Sequence, residues 1–214
     1  MKINTLIIGA SHMGGSCIKM KQNAACILGK MSGETVYNVA MAGHYFPICA
    51  VNLKAALAKY NPSEFAVIET HQIDFSAREF AEILDGTVHR NFPIKAGQIL
   101  LFLRENYFLA LLHQQAGRSF AEEEVSHPQN SHDDENEKYN LLQQVLEMMG
   151  NTASEAGTKL IIAYHPSVSL NHDGTLSIIG NPDYAEKFAE LCSQNGIYFL
   201  NMSDRFMIFC LTDS

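Results

Sequence analysis

The chain has 214 residues, 47% of them apolar and 18% charged, with 14 glycines and 6 prolines. These proportions exclude a mainly disordered chain, a collagen-like repeat and a disulfide-dense miniprotein; one buried core in a single domain over residues 1–214 is the expectation. The 15 basic and 23 acidic side chains give a net charge of −8, and nucleic acid, which needs a concentrated basic face, is excluded as a partner.

Short apolar runs alternate with helical patterns along the chain. Residues 5–9 read as the first strand, 35–40 as the second, 65–70 (FAVIET) as the third, 159–164 (KLIIAY) as the fourth and 197–200 as the fifth. The first, third and fourth are nearly continuous apolar runs, the pattern of parallel strands buried on both faces. Helices are expected over 15–30, 47–60, 94–115, 138–156 and 183–195, with Pro47 suited to a first turn and Gly196 to a C-terminal cap. This order predicts an α/β fold: a three-layer α/β/α sandwich around a five-stranded parallel sheet, with right-handed crossovers.

Residues 118–137 (RSFAEEEVSHPQNSHDDENE) break the pattern. The stretch offers too few aliphatic side chains to offset its ordering entropy, so a mobile acidic surface loop is expected. Its His127, His132, Asp133 and Asp134 are weighed as metal ligands, but a solvated charge run is the commoner case, and no metal or other cofactor is expected. The 5 cysteines form no CxxC pair and sit among apolar neighbours, as small buried hydrophobes in a reduced protein do. No apolar run approaches the ~20 residues of a membrane helix, and the first strand begins almost at Met1. The expectation is either a cytosolic protein or one whose leader lies ahead of this sequence.

In an open parallel sheet, ligands bind beyond the carboxyl ends of the strands. Those ends carry Ser11 and His12 after strand one, Gly43 and His44 after strand two, His71, Gln72 and Asp74 after strand three, and His165 after strand four. Each has a structural role open to it: Ser11 as a helix cap, the histidines as ordinary loop residues. Their shared position on one rim is what points to a site. The glycines at 9, 14 and 15 do not fit the dinucleotide fingerprint, no acid ends strand two, and no phosphate-loop Lys-Ser/Thr pair follows.

The run LIIGASHMGGS resembles the first block of the SGNH/GDSL hydrolase superfamily, in its Gly-x-Ser-His form. VYNVAMAGHYF resembles the second block and EFAVIETHQIDFS the third, and the order of elements agrees from about Asn4 to Phe206. The resemblance implies a flavodoxin-like fold and Ser11 as nucleophile, with the N–H groups of Ser11 and Gly43 as oxyanion donors. The third-block asparagine is absent, and His71 or Gln72 would supply the missing donor. The family's terminal Asp-x-x-His block is also absent: after strand five the sequence reads NMSDRFMIFCLTDS. The base then lies beyond this sequence, is lost, or is replaced by His165 with Asp204 as its orienting carboxylate.

The implied chemistry is acyl transfer through an acyl-serine on small acyl esters, O-acetyl groups of carbohydrates among them. Two alternatives accompany it. One is an acyltransferase accessory of polysaccharide O-acetylation, which would work beside a membrane-bound O-acyltransferase. The other is a non-catalytic binding domain that kept the hydrolase fold. The oligomeric state is not legible in the sequence.

Overall fold

A computed structural model describes residues 2–14, 22–41, 43–88, 132–170, 176–179 and 181–203. All of them belong to one unit, formed by Met1–Val88 with His132–Ser214. Its strands are β1 (Thr5–Ile8), β2 (Val36–Asn38), β3 (Phe65–Thr70), β4 (Lys159–Tyr164), β5 (Ser167–Leu170), β6 (Leu176–Ile179) and β7 (Tyr198–Asn201). Its helices are α1 (Ser11–Gly14), α2 (Ala24–Ser32), α3 (Phe46–Tyr60), α4 (Ala77–Leu84), α5 (His132–Glu155) and α6 (Pro182–Gln194).

Five strands form a parallel sheet in the order β2-β1-β3-β4-β7, the flavodoxin-like order. The connection from β1 to β2 runs one way along the sheet and all later ones run the other way. Right-handed crossovers therefore place α2 on one face and α3, α5 and α6 on the opposite face. Side-chain alternation agrees with this. Leu6, Ile8, Ala66, Ile68, Leu160 and Ile162 enter the core shared with α3, α4, α5 and α6. On the other face, Val36, paired with Thr5, packs beneath Gly29 of α2. The expected three-layer α/β/α sandwich is thus the observed one.

The helices form for local reasons. In α5, Leu142, Val145, Leu146, Met149 and Ala153 are all buried and recur at helical spacing on one stripe. Asn23 caps α2 by accepting the Ala25 N–H at 2.9 Å, and Pro47 lies in the first turn of α3. Helix α4 opens with a reciprocal capping box between Ser76 and Glu79 and buries Phe80 and Ile83.

Several expectations need correction. Helix α5 begins at His132, so 132–137, the end of the expected loop, is helical. The rest of that loop, 118–131, and the expected helix over 94–115 lie outside the described residues. Helix α4 and the antiparallel β5–β6 hairpin were not expected at all. Where one helix was expected over 15–30, the described residues show α1 and α2, with 15–21 outside them.

Candidate functional site

The carboxyl ends of β1, β3 and β4 and the loop leaving β2 are stitched together by hydrogen bonds. Backbone pairing continues past β1, where Gly9 O accepts the Met41 N–H at 3.0 Å. This ties the loop that leads to Gly43 to the residue two before Ser11. Gly43 itself turns with φ of 80°, a backbone that glycine adopts without steric cost.

Glu69 lies at the centre. In the parallel register Ile7 faces Val67 and Ala163 faces Glu69, so Val67, Glu69 and His71 share a face with Ile161, Ala163 and His165. This is the face that carries α2. Glu69 is 1% exposed, a position where an unpartnered carboxylate would be costly. Its Oε2 accepts the Ala10 N–H at 2.9 Å, and its Oε1 is hydrogen-bonded to Nε2 of His165. The His165 N–H donates in turn to Thr70 O at 3.0 Å, which fixes the backbone that carries the ring. The His71 and His165 rings lie 6.2 Å apart, centroid to centroid.

Ser11 follows Ala10 directly and opens the single turn of α1, which closes with Gly14 N–H donating to Ala10 O at 3.0 Å. The far end of that turn is clamped by two asparagines. Asn38 Nδ2 donates to Met13 O at 2.6 Å, and Asn23 Nδ2 donates to Met13 O at 3.1 Å and to Gly14 O at 3.3 Å. Asn38 also accepts the Ala40 N–H at 2.9 Å, so one side chain holds both the serine turn and the loop toward Gly43. The side chains of Ser11 and His12 lie outside the described residues.

The two candidates for the third oxyanion donor differ. Gln72 is exposed and its groups are engaged locally: its backbone N–H donates to Thr70 Oγ1 at 3.2 Å and its Nε2 to Asp74 O at 3.0 Å. His71 is half-buried beside His165. Asp74 forms an ion pair with Lys138 of α5, and Lys138 Nζ sits 4.7 Å above the Tyr184 ring. His44 accepts from Cys49 Sγ through its carbonyl at 3.5 Å.

Asp204, expected beside His165, lies outside the described residues, as does His127; of His132, Asp133 and Asp134 only the helical backbone is described. Among the described residues, the carboxylate that meets His165 is Glu69. Glu69 was assigned no role from the sequence; it lies inside the third strand, one residue before its end. The signal was there: a single acid inside a run that should be buried on both faces requires a partner.

No family model matches the chain, and no curated protein does. Among solved structures, TesA is 17% identical and superposes with a TM-score of 0.40, over 90% of this chain and 69% of that one. A protein described as lipolytic, of the G-D-S-L family from Desulfitobacterium hafniense DCB-2, is 12% identical with a TM-score of 0.46, over 94% and 78%. A GDP-L-fucose synthetase from Naegleria fowleri is 12% identical with a TM-score of 0.33, over 99% and 68%. All three superpose below 0.5, and no role passes from them to this chain.

Proposed function

We propose that this chain is a serine acyl hydrolase of the SGNH/GDSL type, with Ser11 as nucleophile and His165 as base. The observation that carries the reading is the junction at Glu69. It joins the residue before Ser11 to the histidine that follows β4. Ser11 Oγ attacks the ester carbonyl carbon while His165 takes the hydroxyl proton. The tetrahedral intermediate places its negative oxygen against the N–H groups of Ser11 and Gly43. Collapse breaks the bond to the leaving oxygen, which receives the proton from His165, and water then releases the acyl group by the same steps. Short acyl groups are the proposed substrate class, O-acetyl groups of carbohydrates among them, and the Gly-x-Ser-His form of the first block supports a setting in polysaccharide O-acetylation. If a sugar hydroxyl takes the place of water, the same chemistry is acyl transfer, and a membrane-bound O-acyltransferase would be the companion enzyme. The test is Ser11→Ala, assayed with a short-chain aryl acetate and with a fluorophosphonate label. We expect turnover and labelling to vanish while thermal stability falls by no more than a lost cap, ~1 kcal/mol. Unchanged turnover overturns the reading.

A further inference from the structure

We propose that Glu69 is the positioning residue of this site, setting both the tautomer of His165 and the start of the serine turn. The inference rests on Ser11 being the nucleophile. It replaces the expectation that a carboxylate after the last strand orients the base.

The geometry favours a functional role over a packing one. The neighbours of Glu69 on its face include Val67, Ile7 and Ala163, so an aliphatic residue would suit the position. The carboxylate is instead buried, and Gly9 leaves room for it, since a Cβ there would lie 2.5 Å from Glu69 Oε2. Its two oxygens reach two different strand ends: Ala10 after β1 and His165 after β4. An acid placed only for stability would not need to join these two points.

The chemistry follows from which ring nitrogen is held. With Nε2–H donated to Glu69 Oε1, the neutral ring carries its lone pair on Nδ1. Nδ1 is then the atom that accepts the Ser11 hydroxyl proton. The imidazolium formed lies against an ionised carboxylate that does not itself take the proton, and the proton later passes from Nδ1 to the leaving alcohol oxygen. The second oxygen holds the Ala10 N–H, so the turn bearing Ser11 and the ring that serves it share one anchor.

The decisive variant is Glu69→Gln. Its amide oxygen still accepts from Ala10, but its NH2 group now faces His165 and donates to Nε2, which moves the ring hydrogen to Nδ1. We expect kcat for the aryl acetate to fall ~10²–10⁴-fold with KM nearly unchanged. We also expect the 15N imidazole signals of His165 to switch from the Nε2–H to the Nδ1–H tautomer. A kcat within about threefold of wild type, or an unswitched tautomer in the folded variant, overturns the proposal. Should the variant not fold, the wild-type spectrum decides, because a neutral ring protonated on Nδ1 is incompatible with the proposed pairing. The tautomer is read without substrate. A wild type that neither turns over nor labels at Ser11 therefore sinks the nucleophile, and with it the catalytic role of Glu69, even if the tautomer is as expected.

Discussion

Gly9 and Glu69 occupy complementary space: a Cβ on Gly9 would lie 2.5 Å from Glu69 Oε2 and 3.0 Å from Glu69 Cβ. The missing side chain at the end of β1 makes the pocket for the carboxylate. Gly9→Ala should therefore act at a distance, by displacing Glu69 from Ala10 and His165. We expect a stability loss of ~1–3 kcal/mol, as for overpacking of a filled interior, together with an at least tenfold loss of turnover, on the order of one misplaced catalytic group. Chemical denaturation and aryl acetate kinetics check both. Wild-type values for both measurements would show that the close approach is relaxed at no cost.

Asn38 and Asn23 form the second constraint on the serine turn, and their side chains also meet each other, Nδ2 of Asn38 donating to Oδ1 of Asn23 at 3.2 Å. Asn38→Ala removes one of the two donors to Met13 O, which Asn23 still serves, and leaves the Ala40 N–H without its side-chain acceptor. The expected cost is ~1–3 kcal/mol. Because the bond between the two asparagines is broken by either single variant, it is counted twice in the sum, and the double variant should lose less than the sum of the single losses, by ~0.5 kcal/mol or more. Strict additivity would mean that each holds the turn independently.

The parallel sheet was legible because Leu6-Ile7-Ile8, Ala66-Val67-Ile68 and Leu160-Ile161-Ile162 are apolar runs that only a doubly covered strand tolerates. Strand order is not written in any of these residues; a flavodoxin-like arrangement was expected only as what the family resemblance implied, and the sheet has that order. Helix α4 escaped although its Ser76-Ala-Arg-Glu79 opening has the spacing of a capping box, because it is only 8 residues long and has little room for periodicity. The β5–β6 hairpin escaped because His165-Pro166 reads as the end of a strand, while the chain re-enters extended structure at Ser167. That Ser11, Gly43, His71 and His165 follow β1, β2, β3 and β4 was readable from the strand pattern alone. The partner of His165 was not, since Glu69 lies 96 residues away and pairing across a sheet leaves no local trace.

Buried thiols give the protein an alkaline limit. Burial, and secondarily the charge of Glu69, push the Cys49 thiol up to about 12 from 9.0, and burial also pushes the Cys192 thiol up. In the unfolded chain the Cys49 thiol releases its proton near 9.0, while in the folded protein it holds it to about 12. Between those values the folded state binds more protons, so stability is intact below the lower one and falls as pH rises through the window. The slope is at most ~1.4 kcal/mol per pH unit for each thiol. Urea unfolding at about pH 8 and about pH 10 should show this drop, and Cys49→Ala should shrink it by ~1 kcal/mol. An identical drop in both proteins would place the alkaline sensitivity elsewhere.

The last prediction separates the two residues that follow β3. An oxyanion donor must be aimed at the reacting oxygen before the reaction starts, because reorienting it in the transition state would cost part of the stabilisation. Gln72 meets that requirement poorly: it is exposed, its backbone N–H is committed to Thr70 Oγ1, and one hydrogen of its side-chain amide is held by Asp74 O. What remains is the second hydrogen of an exposed amide whose direction is set by Asp74 O. His71 lies on the same sheet face as Glu69 and His165, half-buried, with its ring 6.2 Å from the His165 ring. We therefore expect His71→Ala to lower kcat ~10²-fold or more, the usual loss for one oxyanion donor, with a smaller change in KM. Gln72→Ala should change kcat by less than about threefold. His71→Gln, which keeps an N–H donor of similar reach, should recover part of the loss, whereas a purely packing role would be better restored by His71→Leu. A larger effect at Gln72 than at His71 would reverse the assignment, and recovery by Leu alone would make His71 a support for the His165 ring rather than a donor.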